Sequence, residues 1–153
     1  MTKRIFVPVV AVCIAASVAV LPASAKTPPA AVVANVGIEV AKLGLASASI
    51  DTATSTCKTK ACLSKAYAAF YAQAHVLDGA LKALWQAAGQ SGACAAAAVN
   101  AGAGFDSLTG DYHSLEAATL KNDKPAATKA YAQIQVKTPR LTAIINSFKT
   151  KCR

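Results

Sequence analysis

Acidic residues are scarce in this chain. Seven Asp and Glu stand against 16 Lys and Arg in 153 residues, with only 2 histidines beside them. General acid–base or metal chemistry would have to be built from those few side chains, and no two of them form a familiar pair. No His-Glu-x-x-His, Gly-x-Ser-x-Gly or phosphate-cradling glycine loop occurs. The chain therefore lacks the usual metalloprotease, α/β-hydrolase and nucleotide-binding signatures, and it is expected not to be an enzyme. Aromatics make up 6% and none is interleaved with the lysines. Arginine is rare, which speaks against phosphate forks and specific nucleic-acid readout. Alternating β-branched runs are missing too, so nothing in the sequence calls for a sheet.

What is present begins with an export signal. Lys3 and Arg4 precede the apolar stretch from Ile5 to Leu21, and Ala23-Ser24-Ala25 has the small residues of a cleavage site. Residues 1–25 read as a signal peptide and residues 26–153 as one helical bundle domain. Cys13 does not suit a lipoprotein, because Val12 before it is not small. Beyond residue 25 no second apolar run stands out as a membrane span, so the mature chain is expected to have no transmembrane segment. Cleavage removes Lys3 and Arg4 and keeps all 7 acids, so the formal charge falls from +9 to +7. It also removes one of 5 cysteines, leaving an even set in an oxidising compartment, either secreted or periplasmic.

The rest of the chain is written in steps of three and four, the spacing of a helix packed lengthwise on other helices. Val33, Val36, Val40, Leu43, Ser47 and Ile50 form a first seam, followed by a connecting loop expected over residues 51–58. A second helix starting near Thr59 carries Leu63, Tyr67, Phe70, Ala74, Leu77, Leu81, Leu84 and Ala88. Gly89 to Gly92 breaks the pattern. A third seam runs from Cys94 through Ala98, Ala101, Phe105, Leu108, Tyr112 and Leu115 to Thr119. After the turn Asn122-Asp123-Lys124-Pro125, a fourth runs Ala127, Tyr131, Ile134, Thr138, Leu141, Ile145, Phe148, Cys152. Asp123 suits an N-cap, and Pro125 sits where a missing N–H does no harm. Pro139 should kink the fourth helix. Four similar helices with short connections predict an all-α, antiparallel up-down-up-down four-helix bundle.

That topology sorts the cysteines. Cys57 and Cys62 fall at one end and Cys94 and Cys152 at the other, about 42 Å away along a 28-residue helix. The permitted pairing is Cys57–Cys62 with Cys94–Cys152. Cys57 must then lie outside the second helix and fold back onto it. On the chain-entropy model the long loop is worth about 4 kcal/mol and the short one about 2 kcal/mol.

Tyr71 and His75 lie four apart and share a helix face, a spacing that would suit axial ligands of a haem iron. No Cys-x-x-Cys-His is present for covalent attachment. His113 and Asp106, seven apart, make a sparse metal set even with His75 added. Asp111-Tyr112-His113-Ser114 contains the residue types of a hydrolase triad, but neighbours on a helix point apart. The bundle gathers Lys58, Lys60, Lys65, Lys121, Lys124 and Lys129 at one pole and Lys26, Lys149, Lys151 and Arg153 at the other. Two such poles suit contact with an anionic surface as well as simple solubility.

A small secreted helical bundle with the short pair Cys57-x4-Cys62 and a later bridge between helices has a general likeness to the plant invertase and pectin methylesterase inhibitors, to which the segment Gly110-Asp111-Tyr112 with Ser114-Leu115 is too short to add. The first cysteine spacing is shorter than in that family, and the second bridge spans more chain. The resemblance implies a secreted enzyme inhibitor. Without it, the chain reads as an exported, non-enzymatic binding or interaction protein of unknown protein or anionic-surface partner. A small-ligand carrier, haem foremost, using Tyr71 and His75, stands as a third reading.

Overall fold

A computed structural model describes residues 25–153. The signal-peptide reading falls on residues 1–25 and so, apart from Ala25, lies outside the described residues. Four helices follow in order: α1 (Ala30–Thr56), α2 (Lys60–Ala87), α3 (Gly92–Leu120) and α4 (Lys124–Lys151). The described residues contain no strand. Short connections turn each helix back on the one before, giving the up-down-up-down bundle.

The helix ends have local causes. The Thr59 hydroxyl accepts the Cys62 N–H at 3.2 Å and caps α2. Asp123 Oδ1 accepts the Ala126 N–H at 3.1 Å and caps α4, with Pro125 in the first turn. Between α3 and α4, Asn122 takes φ +58°, and the Asp123 N–H reaches back to the Ala118 carbonyl at 2.8 Å. Asparagine tolerates this left-handed geometry better than most residues.

The first helix runs further than its sequence suggests. Residues 51–56, expected as loop, continue α1 to Thr56. Their hydroxyls bond backwards along the helix: Thr52 to Ala48 O at 3.2 Å, Thr54 to Ile50 O at 2.8 Å, Thr56 to Thr52 O at 2.8 Å. Serine and threonine in mid-helix take this i−4 bond when they are not turning the chain. The true connection is Cys57 to Thr59, and Cys57 is the C-cap of α1. Helix α1 also differs in character from the reading. It is long and apolar enough, by length and composition, to cross a membrane, which no segment past residue 25 was expected to be. Here its inner face, Val36, Leu43 and Ile50, is packed within the bundle.

The core is centred on α2, whose Leu63, Tyr67, Phe70, Leu77, Leu81 and Leu84 are all buried. On α3 small residues take over: Ala95, Ala97, Ala98 and Ala101 are buried, so neighbouring helices approach closely. At Gly104 an added Cβ would collide with the Leu141 side chain of α4. Helix α4 runs unbroken through Pro139. The structure holds both bridges. Cys57 and Cys62 have Cα atoms 5.6 Å apart, and Cys94 and Cys152 4.7 Å apart, within the normal span. They sit at opposite poles.

Candidate functional site

The close helix pairs are α3 with α4, α1 with α2, and α2 with α3; α1 and α4 make no comparable pairing. The bundle is therefore open along one seam. The residues facing across it explain why. Helix α1 offers Gly44, Ser47, Asp51 and Thr54, and α4 offers Ala127, Thr128, Thr138 and Thr142, small or polar on both sides. Set among Val40, Leu43 and Ile50 of α1 and Leu141 and Ile145 of α4, these small positions leave space between the two helices. Tyr131 and Thr138 belong to the seam of α4 by their spacing, yet both stay exposed, Tyr131 at 44%.

Two cavities occupy this seam. The larger, about 670 Å³, lies toward the Cys57–Cys62 pole. Ile50, Tyr67, Leu115, Ala118 and Ala127 give it apolar walls, and Asp51, Thr54, Asn122, Asp123 and Lys124 a polar end. The smaller, about 320 Å³, lies further along, beside Thr138 and Leu141. Its lining is mostly apolar: Val40, Leu43, Phe70, Phe105, Leu108, Leu141 and Ile145. The larger falls within the size of ordinary small-molecule pockets.

Tyr67 lines the larger cavity and carries a hydroxyl buried behind that lining. The residue is 0% exposed, and its hydroxyl makes no hydrogen bond of acceptable geometry within the protein. Burial pushes its pKa up, and the nearby Thr119 hydroxyl opposes that rise without forming an aligned bond. Thr119 instead donates to the Leu115 carbonyl at 2.7 Å. Tyr67 thus stays a neutral phenol at physiological pH. A buried tyrosine usually finds a partner for its hydroxyl. The other two bundle-facing tyrosines have done so: Tyr112 pairs with Ser47 of α1, and Tyr71 donates to Glu116 Oε2 at 2.9 Å.

That last bond bears on the pair singled out from the sequence. Tyr71 and His75 do line one cavity together, about 210 Å³, between α2 and α3. The Tyr71 oxygen, however, is held by Glu116, and its ring stacks on His113 with centroids 3.9 Å apart. Burial and Glu116 both raise the Tyr71 pKa, which disfavours the phenolate an iron would take. The other candidates are structural ties. Asp111 Oδ2 meets Lys137 Nζ at 2.5 Å, joining α3 to α4, and Lys137 also donates to Ser107 Oγ at 2.8 Å. Ser114 donates to the Gly110 carbonyl at 3.0 Å, away from any triad. No group of three or more His, Cys, Asp or Glu among the described residues could hold a metal ion.

No family model, curated protein or solved structure matches this chain. The site must be judged on its own chemistry. Sequence spacing placed Tyr67 on the inner seam but gave no reason to single it out. The usable signal was a tyrosine at a fully interior position where phenylalanine would fill the space without a polar cost. The charges divide by position. Lys42, Lys82 and Lys137, on the sides of the bundle, pair with Glu39, Asp78 and Asp111. The pole lysines, Lys58, Lys60, Lys65, Lys121, Lys124 and Lys129, have no ion-pair partner among the described residues.

Proposed function

We propose that this is an exported, non-catalytic binding protein that holds a small amphipathic molecule in the cleft between α1 and α4. The observation that carries the reading is the buried Tyr67 hydroxyl, without a protein partner, behind the wall of the larger cleft cavity. A ligand acceptor reaching it would satisfy a group the fold leaves unsatisfied. The apolar walls around it would bind the body of the same molecule. The two disulfides and the apolar N-terminal segment support action in an oxidising compartment outside the cytoplasm, secreted or periplasmic.

The test uses phenylnaphthylamine, a neutral fluorophore that brightens in apolar sites. Wild-type protein should enhance its emission saturably. Ala127→Trp, which fills the larger cavity from a half-buried position, should abolish the enhancement while circular dichroism stays unchanged. No saturable enhancement by the wild type, or an undiminished one in the folded variant, would refute the reading.

A further inference from the structure

Resting on the cleft as a ligand site, we infer that its ligand is a long-chain neutral amphiphile lying along both cavities. The polar end sits beside Tyr67, and the alkyl chain runs past Ile134 into the cavity beside Leu141.

Both cavities open on the same seam and follow one another along the same two helices. On α1 the larger is lined by Ile50 and Thr54 and the smaller by Val40 and Leu43; on α4 they are lined by Tyr131 and by Leu141 respectively. From Val40 to Thr54 the lining extends about 21 Å along α1 at 1.5 Å per residue, which is an elongated shape. On α4 the buried Ile134 stands between them, and Ser47 and Tyr112 line the smaller one. For one ligand to occupy both spaces, the Ile134 side chain must move aside.

The polarity is graded along this line. Charged groups line only the larger cavity. In the smaller, the hydroxyls of Ser47 and Tyr112 share one hydrogen bond, and those of Thr138 and Thr142 donate to the carbonyls of Ile134 and Thr138 at 2.8 and 3.0 Å. No charged group lines it to hold a second head. The charges at the larger cavity are two carboxylates, Asp51 and Asp123, and one ammonium, Lys124. Within the lining itself a free carboxylate head would meet two carboxylates and one ammonium, although the surrounding pole also carries Lys58, Lys60, Lys65, Lys121 and Lys129. Tyr67, held as a phenol, donates to a neutral carbonyl. An ester or amide head with one alkyl chain fits both conditions.

The test is competition of methyl esters, from octanoate to palmitate, against phenylnaphthylamine on the exported protein. Affinity should climb with chain length by up to about fourfold per added methylene, and methyl palmitate should bind more tightly than palmitate. Gly44→Leu fills the smaller cavity from α1, at a position where an added Cβ meets nothing within 4 Å. It should leave octanoate ester binding intact and remove the gain from longer chains. Thr142→Trp, from the α4 side, should do the same and serves if the first variant shifts the fold. Short esters that bind with no gain from length, or chain-length gains untouched in both variants, overturn the two-cavity ligand and leave the cleft reading standing. Tighter binding of the free acid overturns the neutral head. A wild type that binds neither fluorophore nor ester overturns the cleft reading itself.

Discussion

Replacing Tyr67 by phenylalanine separates stability from binding. The substitution removes one oxygen from a residue that is 0% exposed and whose hydroxyl has no protein partner. In most interiors Tyr→Phe breaks a hydrogen bond and costs about 1 kcal/mol. Here no bond is lost, and a buried polar group that costs roughly 1–3 kcal/mol when unsatisfied is removed. The ring remains, so the contacts that fill the core around Phe70 and Leu63 are kept. Tyr67→Phe should therefore be at least as stable as the wild type and up to about 1 kcal/mol more stable. For a domain of this size that is roughly 3–5 °C in the melting midpoint. Binding should move the other way. A carbonyl ligand that accepts from Tyr67 would lose one neutral hydrogen bond, about 1 kcal/mol, or roughly fivefold in affinity. Thermal unfolding without ligand and ester competition against phenylnaphthylamine read the two effects separately. A melting midpoint lowered by several degrees would show that the hydroxyl already has a partner in the fold. The reasoning about the cleft would then fail at its base.

Two further predictions concern the fold. Releasing the Cys94–Cys152 bridge with Cys94→Ser and Cys152→Ser together should destabilise by about 4 kcal/mol, against about 2 kcal/mol for the Cys57→Ser, Cys62→Ser pair, because the first closes far more chain. Equal losses, or the reverse order in denaturant melts, would contradict that account. Glu39 is buried between α1 and α2, where Lys42 bonds it at 2.8 Å and Gln73 at 2.7 Å, and these bonds hold its carboxyl below the ordinary glutamate value of 4.5. A depressed folded-state pKa contributes stability that is fully present above the unfolded value and is lost as pH falls through the folded one. Acid titration of stability should show this loss below pH 4.5 in the wild type and a shallower slope in Glu39→Gln; identical acid limbs would rule it out.

Helix number, order and inner faces were legible in the sequence because three-and-four spacing survives in every segment. The inner positions of α2 show it best: seven of the eight read from the pattern are buried, and Ala74 is half-buried. Two things were hidden. The polar run over residues 51–56 resembles a loop in composition. Only the hydroxyl bonds to preceding carbonyls, such as Thr54 to Ile50, show how it remains helical. The cleft was hidden for a different reason. Periodicity tells which residues point inward, but not whether the first and last helices are large enough at their facing positions to meet. Gly44 and Ser47 opposite Thr138 and Thr142 keep the period and leave the space. Tyr71 and His75 share a face as their spacing requires, but spacing could not reveal that Glu116 on another helix would take the phenol.

The Cys94–Cys152 bridge also decides how the molecule carries load. A pull applied between residue 26 and Arg153 enters the C-terminal end at Cys152 and crosses directly to Cys94, bypassing everything between them. Helices α3 and α4 lie outside the line of force. Only α1 and α2 are drawn out, less the few residues looped off by Cys57–Cys62. The chain should lengthen by on the order of 200 Å at 3.3–3.6 Å per residue and then stop. What remains at full extension is a folded hairpin on an inextensible tether, and it lengthens further only after a reductant reaches the sulfurs.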